Sequence, residues 1–493
     1  MKRQSLVCSL FAMLLVVSCT KKPSDNPLAY IPAKAKAVVA FDLKRLTEKA
    51  DVNCLLTSGT LSSLSFMMTR IMGLPDVLND RSVTGVDFDR HAYFVQPDTG
   101  HFNAYFIIPL LDAGKLETFI RSYDKSIKLE EGDGFIWFEE FAWVAGHNRK
   151  VLVAIPQGEV AMLKTIFKTK PKDALLKADN DLRAWLDEPN DITLWADLNV
   201  PISDVPEEQG NQWQLGESLR GSVLMIALNF HNGFAEAHAV IQPGDGASGL
   251  FNALSGTGSD QMHKYLLDSA FLWASVNVNT SALKDWLESS GSMTKRVGKT
   301  DMTWSEILDV FNPLTGQAVV SLSEPYAVES YGSPVTTSEA LVAVGIKERA
   351  LVLEVLQLAL TDRLGFALLP AGSTTEMTDD AILIASSKDI LTSKRGEVPD
   401  DVRELLQQPP VALYMDFAYF SEVLLSVTPR SAEDVINLSA TFADIAEAIT
   451  LTAATDKGEL HVHLKLHTYD DTENSLHLLI RAVAEGFGQM MPF

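Results

Sequence analysis

The chain has 493 residues, 46% hydrophobic and 21% charged, with a formal charge of −23. That length and apolar content exclude a disordered chain and a single small domain, and fit about two to four folded domains. The acidity excludes docking on the phosphates of nucleic acid or anionic lipid, and no Lys/Arg-rich segment offsets it.

Met1-Lys2-Arg3 is a basic start, and Leu6 to Val17 is an apolar run of signal-peptide length. It ends in Leu15-Val16-Val17-Ser18-Cys19, which resembles the lipobox of bacterial lipoproteins. The resemblance implies a signal peptide over 1–18, cleavage before Cys19 and a lipid on its sulfur. Residues 19–29 then read as a lipidated tether, polar and carrying Pro23 and Pro27. Ten extended residues reach only about 35 Å, so the folded body is expected close to the bilayer. Thr20-Lys21-Lys22 after the cysteine lacks both an inner-membrane-retention aspartate and an acidic export run. By analogy this points to the outer membrane, facing the periplasm, although surface or periplasmic orientation stays open. Cys8 falls inside the signal. Cys54 is left as a lone thiol with no disulfide partner and no Cys-x-x-Cys pair for metal or redox work. It reads as a small buried apolar residue.

Val38-Val39-Ala40-Phe41-Asp42-Leu43 reads as a short buried strand that ends on an aspartate and turns into an amphipathic run from Lys44 to Ala50. Similar units recur at Leu194–Leu198, Trp273–Val278 and Leu413–Phe417, ending on Asp197, Asn277 and Asp416. Between them, Asn103–Ile108 matches Glu339–Ile346, and Val151–Ile155 matches Ala381–Ala385. Each half closes on a hairpin, turning at His231-Asn232-Gly233 and at Thr455-Asp456-Lys457-Gly458. The order of matched elements, at displacements such as 219 (416 − 197), predicts a tandem duplication. The expected copies are 30–255 and 265–493, joined near Ser255–Ser259. Alternating strands joined by hairpins, with helices interspersed, predict an α+β fold in each copy: a mainly antiparallel sheet with helices on one face.

The lipobox, then Tyr30-Ile31-Pro32-Ala33 leading to Asp42-Leu43, with Gly85-Val86-Asp87 before Ala92–Val95, resembles the Bacteroidota lipoproteins classed as domain of unknown function 4836. That resemblance would cover most of the mature chain. It implies no activity and no catalytic residues.

His461-Val462-His463 is the sharpest metal candidate, because alternating strand residues share a face with His467. Lys465 between them opposes a divalent cation, and the other parity is wholly apolar, so an amphipathic strand with a solvated polar face is the better reading. In the first half Glu236 and His238 occupy the places of His461 and His463. Gly244–Gly249 matches G-x-G-x-x-G, but its preceding strand belongs to a hairpin and Pro243 intervenes, so it reads as a connector. The four strand-end Asp and Asn residues read as helix caps, or as turn caps where Pro201 or Thr280 delays the helix, rather than as acid/base groups, since Asn277 replaces a carboxylate in one unit. Asp87-Phe88-Asp89 and Asp470-Asp471 lack calcium-loop spacing. No catalytic residue, cofactor or metal is assigned.

The sequence is therefore read as a membrane-anchored envelope lipoprotein, a non-catalytic binding or scaffold module with an envelope protein or glycan as partner and no nucleic acid. The alternatives are an envelope hydrolase or metal-binding enzyme, and a lipid or lipoprotein carrier. Exposed aromatic residues would mark a partner surface, with Trp137 and Trp143 the ones to inspect against simple cross-strand packing.

Overall fold

A computed structural model of the chain describes residues 25–51, 80–98, 104–123, 126–140, 143–175, 181–198, 219–255, 260–291, 293–294, 303–306, 312–324, 326–330, 333–349, 352, 373–421 and 443–490. Cys8, Cys19 and Cys54, and with them the signal and the lipid site, lie outside these. Of the described residues, those within Met1–Lys44 and Met72–Arg183 form one compact unit, and those within Arg45–Ile71 and Ala184–Phe493 the other. The fold is α+β with a mainly antiparallel sheet, as its alternating strands lead one to expect.

The first unit holds β1 (Ala35–Asp42), β2 (His91–Pro97), β3 (Tyr105–Pro109), β4 (Glu130–Gly132), β5 (Phe135–Glu140), β6 (Trp143–His147) and β7 (Val151–Pro156). They pair antiparallel in the order β1-β2-β3-β7-β6-β5-β4. Val38, Val95, Ile107 and Val153 from four adjacent strands have no exposed surface and fix which parity faces inward. The first strand runs straight into the helix Leu43–Lys49, as its sequence predicts. Trp143 stands 43% exposed at the start of β6, its ring 6.1 Å from that of Phe106, whereas Trp137 is half-buried against Phe135.

The second unit holds β8 (Ile192–Asp197), β9 (Val223–His231), β10 (Phe234–Gln242), β11 (Ala270–Asn277), β12 (Leu314–Ser323), β15 (Ala340–Ile346), β16 (Thr374–Met377), β17 (Ala381–Ala385), β18 (Val411–Asp416), β19 (Ala446–Asp456) and β20 (Glu459–Thr468). Their order is β8-β9-β10-β20-β19-β18-β11-β12-β15-β17-β16. A separate hairpin joins β13 (Tyr326–Ser330) to β14 (Ser333–Thr337). Both terminal hairpins are two-residue turns. Gly233 takes φ +82° in one, and Lys457 and Gly458 take +49° and +87° in the other, the positive φ such turns require.

The compact units do not divide at 255–265, where the repeat comparison puts the junction. The physical reason is the pairing of β10 with β20, from Phe234↔His467 to Ile241↔Leu460, which joins strands from either side of that point. On β11 and β18 one face is closed by the helix Asp400–Gln407. Its Val402 and Leu406 are buried with Trp273, Ala412 and Val319, and the Leu406 carbonyl accepts from the Ser275 hydroxyl. The connector Gly244–Gly249 is packed rather than loose: Trp286 donates to the Gly246 carbonyl at 2.9 Å, and a Cβ on Gly249 would lie 2.8 Å from its ring.

Candidate functional site

Two strand triplets in the second unit are built alike, each a strand followed by a terminal hairpin: β8-β9-β10 and β18-β19-β20. Residues paired across antiparallel strands share a face, so the register reads out rows of neighbouring side chains. In the first triplet the rows are Thr193–Ala227–His238 and Trp195–Met225–Val240. In the second they are Ala412–Thr452–His463 and Tyr414–Thr450–Lys465. Met225, Ala227 and Val240 are buried at 3–5% exposure and simply pack. At the same places the second triplet presents two threonines and a lysine whose side chain is 43% exposed.

The result is an open recess of about 530 Å³, in the size range of small-ligand sites. Its floor is Tyr414, Thr450 and Thr452. His463, Lys465 and His467 form the β20 wall, while Glu447, with Asp401 and Leu405 from the helix Asp400–Gln407, lines the other side. Tyr414 packs beside the buried Trp273, its cross-strand partner on β11, ring centroids 5.8 Å apart. Burial, then the carboxylates of Asp416, Asp401 and Glu447, raises the pKa of the Tyr414 hydroxyl, so it stays protonated. Burial, then the Lys465 ammonium, lowers the pKa of His467 despite Glu447, leaving a neutral ring whose Nε2 lies 3.4 Å from the Thr450 hydroxyl. Asp401 and Glu447 have no ion-pair partner among the described residues. Lys465 lies 3.9 Å from Glu236, on the side of β10, and over the Phe234 ring.

Beside the recess the predicted histidine face appears with an addition. His238 of β10 stacks on His463, centroids 4.0 Å apart and planes 8° from parallel, and its Nε2 lies 3.2 Å from Nδ1 of His461. Imidazole lone pairs lie in the ring plane, so stacked rings do not converge on one ion. Among the described residues no group of three or more His, Cys, Asp or Glu is arranged to hold a metal. Burial first, then His463 and His461, lowers the pKa of His238 to about 4. His461 and His463 are brought together with His238, while His467 lies apart from that group and lines the recess alongside His463.

The strand-end acids do not converge. Asp416 caps as expected, accepting from the Ala418 and Tyr419 amides. The helix Thr280–Ser289 begins after the delay that Thr280 suggests, and its cap is Asn279, accepting from Ala282, rather than the strand-end Asn277. Asp42 lies 3.7 Å from His91. Asp191, unremarkable in sequence, proves to be the most buried charge described: its side chain has no exposed surface and meets Arg45 at 2.8 Å, Lys49 at 2.5 Å and the Phe230 amide at 2.7 Å. These partners lie at sequence distances of 142 and 146 for the cations, a separation that no local pattern signals.

No family model matches the chain, and no curated protein matches it. Among solved structures it is similar to the one described as "Structure of crystal form I of TP0453", at 11% identity and TM-score 0.25, over 45% of this chain and 81% of that one. A TM-score of that size carries neither a shared fold nor a shared activity.

Proposed function

We propose that the chain is a lipid-anchored envelope protein built from two homologous copies, of which the second carries a non-catalytic binding recess. The duplication reading is supported by pairing order: β1-β2-β3-β7 in the first unit repeats as β11-β12-β15-β17 in the second. It is supported again at the β10–β20 seam. Aligning the hairpin glycines Gly233 and Gly458 makes His238 the counterpart of His463, and those two residues stack on one another, as equivalent residues do across a two-fold interface. The resemblance to the Bacteroidota lipoproteins of domain 4836 is kept as part of this proposal, as are the Cys19 anchor and the outer-membrane location.

The observation that carries the binding reading is the contrast between the triplets. The fold is satisfied at Met225, Ala227 and Val240 by apolar packing. Thr450, Thr452 and Lys465 at the matching rows instead present polar groups to an open recess, where a ligand can reach them. The test is a photo-crosslinking amino acid at Glu447, on the rim, in cells that make the protein. The expected result is a discrete adduct absent when the same group replaces Leu111, which is 75% exposed in the first unit. Equal, diffuse labelling at both positions would remove the recess from consideration.

A further inference from the structure

We propose that the recess takes a zwitterion, a small ligand bearing an ammonium group and an oxyanion within the span of about 10 Å that two strand spacings put between Tyr414 and Lys465. This rests on the binding reading above and names the chemistry of that same recess. One wall suits the oxyanion. Lys465 is flanked on β20, two residues to either side, by His463 and His467, so an ammonium charge and imidazole N–H groups share one row. The opposite side suits the ammonium. Asp401 and Glu447 line it without cation partners among the described residues, and the Tyr414 ring between them offers a π face of the kind that ammonium groups seek.

Two electrostatic relations tie these groups into one field. Tyr414 is close enough to Asp416, Asp401 and Glu447 for all three to oppose loss of its proton, after burial itself. His467 lines the recess with both Lys465 and Glu447 and feels them with opposite signs. The first triplet provides the internal control: Trp195, Met225 and Val240 fill the row matched by Tyr414, Thr450 and Lys465, so the sheet itself needs no charge there. A neutral saccharide would use the threonines and Tyr414 but would leave the facing carboxylates without a cation, and Lys465 with only Glu236 at 3.9 Å.

Calorimetric titration of the full chain tests this with alanyl-alanine, glycerophosphoethanolamine and, as the neutral comparison, N-acetylglucosamine. At least one of the two zwitterions is expected to bind at least tenfold more tightly than the sugar. Which of the two binds distinguishes a peptide source from a lipid-headgroup source. Lys465→Glu and Glu447→Lys should each lower that affinity about tenfold, the size of one 1.4 kcal/mol interaction, and acetylating the dipeptide amine should mimic the second change. Acetylation acts on the ligand, so it reads out even where a variant folds poorly. Zwitterion binding no tighter than the sugar, or insensitive to both variants and to acetylation, overturns the proposal. An envelope adduct at Glu447 without zwitterion binding would leave the recess as a binding site and remove only this ligand class.

Discussion

Asp191 shows how much can hang on one carboxylate. Burial alone would raise its pKa, but the Lys49 ammonium, the Phe230 amide and Arg45 outweigh that and hold it below the ordinary value. A depressed carboxyl contributes stability that is present above pH 4 and is lost as the pH falls through its folded value. Asp191→Ala strands two cations and an amide, so a loss of about 3–5 kcal/mol is expected, read as a lower urea midpoint. His238 works in the other direction. Its neutral ring, with a pKa near 4 in the fold against an ordinary 6.5, leaves stability intact above pH 6.5 and draws it down progressively between 6.5 and 4. Burial also lowers the pKa of His463 and His467, so the acid loss is shared among neighbours on one sheet. His238→Phe keeps an aromatic plane beside His463 and removes one titrating group. Urea midpoints at pH 7 and pH 5 should lie closer together in that variant than in the parent.

Among the elements, local chemistry was legible where it acts over a few residues. The strand-to-helix passage at Asp42, the two-residue hairpins and the cap at Asp416 all follow from short patterns. The helix after β11 begins only at Thr280, the delay that residue suggests. Two more extended residues carry the chain past Asn277, and Asn279 is the side chain that reaches the free Ala282 amide. Asn279→Ala is therefore expected to cost about 1 kcal/mol in the urea midpoint, while Ser281→Ala on the same helix should change it by far less. Gly316 is a firmer constraint. At φ +88° a Cβ would lie 2.0 Å from the Val278 carbonyl oxygen, so Gly316→Ala should destabilise the β11–β12 pairing well beyond a cap loss, by circular-dichroism melting.

For the whole molecule, the repeat comparison read the order of strands but not the way they assemble. Matched strands in sequence say nothing about β10 meeting β20, because a pairing across some 225 residues leaves no local trace. The recess was hidden for the same reason: Tyr414, Thr450 and Lys465 are ordinary strand residues until register aligns them. The histidine face was visible from alternation, but its third ring, His238, needed the pairing. No helix among the described residues is long and apolar enough to cross a membrane. The proposed anchor at Cys19 is checked by fractionation: Cys19→Ala protein should leave the membrane pellet for the soluble fraction, and its persistence in the pellet would sink the lipid assignment.

The His238–His463 stack also makes the seam between β10 and β20 observable. Two parallel imidazoles 4.0 Å apart lie in one another's shielding cones, so their carbon-bound protons should resonate upfield of those in an unstacked histidine. Any ligand, denaturant or partner that parts the two strands would return those signals to ordinary positions. The pairing that joins the two terminal hairpins thus carries its own magnetic-resonance reporter, with no label to introduce.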